Sequence, residues 1–308
     1  MKNISNHIAA FYSLFIMLLI TMAVNGQTND LQPTKTSAEK NGSWFTVKQI
    51  ADKVWRIDDH GGDNIYLIEG SEKALLIDTG TGTADLVECV KSITKLPVIV
   101  VNTHGHPDHV GGNFQFKEVY AHKMDFEMIG SFCNEGFRAN SIERVLNESS
   151  EFASSIIKEV ENFKAASLLP IHAGYTFDLG NRKLDVVEVP GHTKGSICLL
   201  DAENKLLFTG DNNNSLVWLF LEDCLPLESY MQTLENLKQL RGDFETMLPG
   251  HGEPLDKEFI DEQIICIKNI LDGTCKGEPY KTFVNYAKVC SFKRARVAYN
   301  PDNLHVKP

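Results

Sequence analysis

The sequence predicts an α/β fold of mixed sheets carrying helices. Two observations support that prediction. Short apolar or alternating runs, closed by glycine turns, recur between segments of helical period. Residues suited to hold a ligand cluster where those runs end, and loops at strand ends on a rigid sheet are where binding groups concentrate. The 308 residues, 43% hydrophobic and 23% charged, suffice for a full core in one large domain or two small ones.

Taken in order, "VWRIDD", "NIYLIEG" and "KALLIDTG" read as strands separated by glycine turns. "ADLVECVKSI" has helical period, and "PVIVVNTH" is a buried strand that runs into a histidine cluster. "FKEVYAH" is the next strand. Residues 124–169 read as mostly helical, with apolar residues three and four apart between 141 and 163. This helical insertion, over 124–170, is expected to border the active site as a lid, with plain packing as the alternative. "YTFDL", "KLDVVEVPGH", "SICLLD" and "KLLFTGD" make a second set of strands. Residues 227–240 and 257–271 read as helices flanking a strand in "ETMLPGH". "KRARVAYNP" reads as a last edge strand, with Lys293, Arg294 and Arg296 as solvated or edge-protecting charges.

The N-terminus has a different character. Lys2 precedes an apolar stretch over 8–24, and small Gly26 follows. This pattern predicts a signal peptide over 1–26 and an exported protein, periplasmic or secreted. An uncleaved anchor is the alternative. Residues 27–43 are polar and read as a disordered leader, which leaves 44–308 as the mature domain with no other stretch long enough to span a membrane. The formal charge of −11 argues against a nucleic-acid polymer as partner and leaves a small-molecule substrate. Seven cysteines, an odd number with no C-x-x-C, leave at least one without an intrachain partner. Cys89 and Cys198 lie on apolar periodic segments and read as buried thiols, whereas Cys266, Cys275 and Cys290 lie close enough in sequence to pair.

The chemistry is concentrated in "VNTHGHPDHVGGN". In H-x-H-x-D-H, His104 and His106 are two apart and project to one side of an extended chain. Pro107 and Gly105 bend the loop, so that Asp108 and His109 address a second place nearby. Imidazole suits zinc, and a carboxylate adds charge for a second cation. Three further residues stand at strand ends beside glycine: His192 in "PGHTKGS", Asp211 in "FTGD" and His251 in "PGHGEP". The expected metal ligands are therefore His104, His106 and His192 for one ion and Asp108, His109 and His251 for another, with Asp211 bridging. Two Zn2+ per chain are the default, and iron or manganese suit the same donors.

These motifs, in this order, resemble the metallo-β-lactamase-fold hydrolases, as does "NIYLIEGSEKALLIDTGTG". The resemblance covers roughly residues 44–271. It implies a four-layer αβ/βα sandwich of two mixed sheets flanked by helices, a dinuclear site at one edge, and Asp78 as a structural acid near it. A water shared by two cations reaches a pKa near 7, so a metal-bridging hydroxide is the expected nucleophile. Asp108 is the expected catalytic residue, orienting that hydroxide and taking up its proton. A side-chain nucleophile is not required, and no G-x-S-x-G occurs.

The residue after "FTG" is Asp211, where cysteine-ligated β-lactamases supply a thiolate, and Cys224 lies 13 residues on. "TGD" resembles instead the glyoxalase II, lactonase and esterase branches, so β-lactamase activity is disfavoured. "PGHGEP" departs from glyoxalase II, and an exported enzyme meets little cytosolic thioester. These points favour an ester, lactone or related carboxylic substrate, with a thioester within the same class. Two alternatives share the scaffold: a mononuclear iron persulfide dioxygenase and a small-molecule phosphodiesterase. Trp218 and Phe220 are candidates to wall the pocket or to pack in the core. His60 is expected to be a surface-turn residue rather than one facing the metals.

Overall fold

The computed structural model describes residues 44–148, 163–282, 284 and 286–307. The signal peptide and leader expected over 1–43, and the part of the insertion over 149–162, lie outside the described residues. A first sheet has seven strands in chain order: β1 (Phe45–Ala51), β2 (Val54–Asp59), β3 (Asn64–Glu69), β4 (Ala74–Ile77), β5 (Val98–Val101), β6 (Glu118–His122) and β7 (Ser167–Ile171). It is antiparallel as far as β4 and parallel from β4 to β7. Parallel neighbours need long crossovers. These carry α1 (Leu86–Ile93), α2 (Pro107–Val110), α3 (Phe126–Phe132) and α4 (Glu135–Glu148).

The second sheet contains β8 (Thr176–Asp178), β9 (Lys183–Glu188), β10 (Ile197–Asp201), β11 (Leu206–Gly210), β13 (Thr246–Pro249) and β14 (Leu255–Asp256). Its order is β14-β13-β11-β10-β9-β8. A third sheet joins β12 (Leu216–Leu219), β17 (Ala295–Tyr299), β16 (Tyr286–Phe292) and β15 (Glu278–Lys281) in that order. The last two helices are α5 (Leu227–Lys238) and α6 (Phe259–Leu271).

The layers follow from side-chain alternation. In β4, Leu75 and Ile77 face the second sheet, where they pack with Phe177, Leu199, Phe208 and Leu248. Ala74 and Leu76 face the other way, onto Leu86 and Val90 of α1. A strand buried on both faces is apolar throughout, which explains the run "ALLI". On the far side of the second sheet, Leu207 and Met247 meet Leu234 of α5 and Ile264 and Ile267 of α6. The order helix, sheet, sheet, helix is the four-layer α/β sandwich expected.

Two expectations need correction. Residues 167–171 form β7, parallel to β6, so the helical reading of 124–169 ends too late. Pro170 and the short apolar run of this segment suit a sheet margin better than a helix. The "KRARVAY" strand is not an edge, because β17 lies between β12 and β16. Lys293, Arg294 and Arg296 are nonetheless exposed, as the solvated reading expects, and Arg294 pairs with Asp256 and Glu262. β1, β12, β14, β15 and β16 carry no pattern that marks them in the sequence. Lys288 on β16, and Glu278, Pro279 and Lys281 on β15, hide those two strands from an alternation test.

Cys275 and Cys290 form a disulfide that ties the chain after α6 to β16. Cys198, Cys224 and Cys266 are buried thiols, while Cys89 and Cys133 are half-buried. Among the described residues, no helix is long and apolar enough to cross a membrane.

Candidate metal centre

The donors sit at the carboxyl ends of strands that meet at one edge of the sandwich. β5 delivers the chain to His104 and His106, and α2 begins at Pro107. Proline suits a first helical position because its missing N–H has no role there. The helical turn carries Asp108 and His109 toward Asp211 and His251, while the His109 ring stays 4.1 Å from that of His104. β9 leads to His192, β11 to Asp211 and β13 to His251. Gly210 has φ +48°, and a Cβ there would meet Thr103 Oγ1 at 2.5 Å, so glycine permits the close approach that brings Asp211 in. Gly250 is confined likewise, by Asp211 Oδ1 at 2.5 Å and His109 Cε1 at 2.7 Å from a Cβ.

The structure brings all seven predicted residues together, as two adjoining groups. His104 Nε2 lies 3.1 Å from His106 Nδ1, which lies 2.9 Å from His192 Nε2. His251 Nε2 stands 3.3 Å from Asp108 Oδ2 and 3.3 Å from Asp211 Oδ2. Asp211 also reaches His109 Nε2 at 3.3 Å through Oδ1 and His192 Nε2 at 3.5 Å through Oδ2. It thus stands between the groups.

The partners of each ring select its tautomer. His192 Nδ1 donates to the Trp218 carbonyl at 2.8 Å, which leaves the Nε2 lone pair for the centre. Thr103 gives its hydroxyl proton to Asp78, so His104 Nδ1 donates to Thr103 Oγ1 at 3.0 Å and Nε2 is left unprotonated. His106 Nε2 faces Asp223 Oδ2 at 2.7 Å, which turns Nδ1 inward. His109 Nδ1 faces Asp78 Oδ2 at 3.0 Å, and its buried Nε2 has no hydrogen-bond partner. Both Asp108 carboxylate oxygens are likewise without a hydrogen bond among the described residues. Converging lone pairs and orphaned carboxylate oxygens lack a positive charge between them. The residues present therefore fit divalent cations: within each of the sets His104, His106, His192; Asp63, His109, His251; and His104, His109, Asp211, one ligand atom per residue lies within 4.8 Å of the others.

Electrostatics agree with this shape. Burial, then the neighbouring imidazoles, hold His104 well below the usual histidine range, and burial brings His192 down to about 4. Burial also presses on His251, but the Asp211 and Asp108 carboxylates outweigh it and raise that ring to about 10. Burial works to raise Asp211, yet His251 and His109 overcome it and hold its carboxyl well below the ordinary range.

Three acids behind the donors were not singled out as such. Asp125, just before α3, accepts from Gly105 N, Gly195 N and Thr193 Oγ1 at 2.9, 2.8 and 2.6 Å. It ties the His104 loop to the His192 loop. Asp223 orients His106, and nothing in "LEDC" marks it, because its partner is 117 residues away in sequence. Asp63, before β3, has neither carboxylate oxygen in a hydrogen bond. Asp78 stands where the resemblance placed it, at φ +63°, accepting from Thr103 N at 2.7 Å.

A cavity of about 390 Å³ opens over the second group. Leu216, Trp218 and Tyr280 line it on one side, and Arg56, Asp58, Asn214 and Glu253 lie at other points of the wall. Trp218 is thus a wall residue, while Phe220 is buried in the core. His60 stacks on Trp44 with ring centroids 4.6 Å apart. Lys293, Arg294 and Arg296 do not line the cavity. The described residues of the insertion do not line it either. Arg138 of α4 donates to the Gly82 carbonyl at 2.7 Å, behind the metal loop.

The metallo-beta-lactamase superfamily profile matches residues 58–123 and 136–251. Acyl-coenzyme A thioesterase MBLAC2 of Bos taurus is 34% identical over 238 residues, covering 68% of this chain and 81% of that protein. The Homo sapiens protein of the same name is 32% identical over 241 residues, with the same coverage. A metallo-beta-lactamase from Pontibacter korlensis has the same fold, with TM-score 0.51 and 22% identity over 73% of this chain and 99% of that one. The order of the motifs, the layered sheets and the profile match lead to one conclusion: the chain belongs to the metallo-β-lactamase superfamily.

Proposed function

We propose that this metal-dependent hydrolase holds two divalent cations, zinc by default, and cleaves a thioester of a small molecule. The observation that carries the reading is the convergence of seven donor side chains, three of which, His192, Asp211 and His251, line one cavity. In this assignment His104, His106 and His192 hold the first ion, Asp108, His109 and His251 the second, and Asp211 touches both. Such a pair supplies a Lewis acid for the carbonyl and a water acidified to near neutrality.

The chain's own groups do the rest. Asp108 is the catalytic carboxylate. Its oxygens are buried, unbonded and 3.3 Å from His251 Nε2, so it can orient the attacking water and accept its proton. Trp218, Leu216 and Tyr280 offer an apolar face to the part of the substrate beyond the carbonyl. A thiol has a pKa near 8.5, so it departs as thiolate without a dedicated acid. The thioester is supported by the activity named for the cattle and human relatives, which moves it ahead of the ester or lactone favoured by the export argument. Two facing groups of donors favour the two-metal hydrolase over a single-iron dioxygenase. The composition of residues 1–26 supports a signal peptide and export, which the N-terminus of the mature protein would test.

The test is hydrolysis by the zinc-loaded chain from Gln27 onward. The panel is an acyl-coenzyme A, a glutathione thioester, an activated ester, a lactone, a cephalosporin and a phosphodiester, each with and without chelator. Turnover of the thioesters, abolished by chelator and restored by Zn2+, is the expected result. Turnover of the phosphodiester alone, or one tightly bound iron without hydrolysis, would sink the reading.

A further inference from the structure

The unassigned acid of the site is Asp63. It is 3% exposed and lines the cavity, and neither of its carboxylate oxygens has a hydrogen-bond partner among the described residues. Its Oδ1 lies 3.4 Å from His109 Nδ1, but that nitrogen already faces Asp78 at 3.0 Å. Asp78 also receives the Thr103 amide and hydroxyl, whereas Asp63 receives no hydrogen bond. Asp63 is also held in place. The neighbouring Asn64 donates its side-chain amide to the Pro249 and Gly252 carbonyls and its backbone N–H to Gly250. The end of the first hairpin is thereby pinned to the loop that carries His251. One ligand atom each from Asp63, His109 and His251 lies within 4.8 Å of the others. A buried carboxylate whose nearest ring nitrogen, 3.4 Å away, already faces Asp78, and which sits beside Asp78 and Asp108, is costly, and a cation there would remove that cost.

We propose that Asp63 is a further donor to the cation held by Asp108, His109 and His251. The proposal rests on the two-cation reading above. It makes the two pockets chemically unequal. The first is all imidazole apart from the shared Asp211, while the second adds two carboxylates of its own. Oxygen donors favour harder cations, so the second pocket accepts Mn2+ more readily than the first, and Asp63 is a cause of that preference.

The test titrates the metal-free mature chain with Zn2+ and, separately, with Mn2+, by calorimetry and chelator competition, for wild type and Asp63→Asn. The expected result is an unchanged first equivalent and a second equivalent weakened about 10- to 100-fold, more for Mn2+ than for Zn2+. Asp63→Glu, which keeps the carboxylate, retains Mn2+ binding that the asparagine variant loses. Thermal melts give an independent readout. Metal-free Asp63→Asn melts above metal-free wild type, because an unpaired buried charge is gone, yet gains less on adding metal. A variant whose melting shift is the same with and without metal, and whose two equivalents bind as in wild type, overturns the proposal. A wild type that binds fewer than two equivalents overturns the two-cation reading and this proposal with it.

Discussion

At the scale of single residues, the site depends on side chains that touch no substrate. His106 can present Nδ1 to a cation because Asp223 holds its Nε2 at 2.7 Å. Asp78 does the same for His109. Partners of this kind set both the tautomer and the ring angle of a ligand. Asp223→Asn keeps the shape but removes the charge and allows the amide to donate, which would reverse the His106 tautomer. It should cost the first metal equivalent roughly 10- to 100-fold in affinity, read by chelator competition, with little change in the melting temperature of the metal-free protein. Unchanged affinity would mean that packing alone orients His106. His104, His106, Asp108 and His109 were legible in the sequence because four ligand-type residues fall within six positions. Asp223, Asp125 and Asp63 were not, because a lone aspartate carries no signal until folding shows what it faces.

Elements place those residues, and their own stability comes from elsewhere. Arg182, which immediately precedes β9, gives Nε to Asp201 Oδ2 of β10 at 2.6 Å and Nη1 to the Asp52 carbonyl at 3.0 Å. Both side chains of the pair are buried. Removing one partner from a buried pair leaves an uncompensated charge, so Arg182→Ala should cost about 3–5 kcal/mol in urea unfolding. Metal stoichiometry should stay at the wild-type value, because the pair lies away from the donors. A loss under 1 kcal/mol would show that water reaches Asp201. Strands buried on both faces, such as β4, were readable as apolar runs, while β12, β15 and β16 were not. β12 is apolar but only four residues long, and β15 and β16 in the small third sheet carry Glu278, Lys281 and Lys288, which break the apolar pattern.

For the whole molecule, the third sheet extends the wall of the site. Tyr280 on β15 and Trp218 on β12 line the cavity, with ring centroids 6.4 Å apart. The strand that carries Tyr280 follows a disulfide cysteine, since Cys275–Cys290 closes a loop of sequence separation 15. Closing a loop of that length stabilises by about 3 kcal/mol through the unfolded state. Replacing both cysteines by serine should therefore lower guanidinium stability by about that amount. It should also reduce turnover of substrates with long apolar groups more than of short ones. Equal stability with and without reductant would show that the bridge contributes nothing to the fold.

The sequence by itself determined the α/β class, the order of the motifs and the seven ligand-type residues that the fold brings together. These are local properties: hydrophobic period, glycine turns, and histidines or aspartates directly after apolar strands. Only the tertiary structure decided which nitrogen of each ring faces inward, which acids stand behind the rings, and what walls the cavity. Each of these depends on contacts between segments far apart in the chain. Asp223 meets His106 across 117 residues, and Tyr280 reaches the cavity on a sheet that continues past the last histidine motif. Side-chain orientation and burial are properties of the packed molecule, and a one-dimensional pattern holds no record of them until the sheets close on each other.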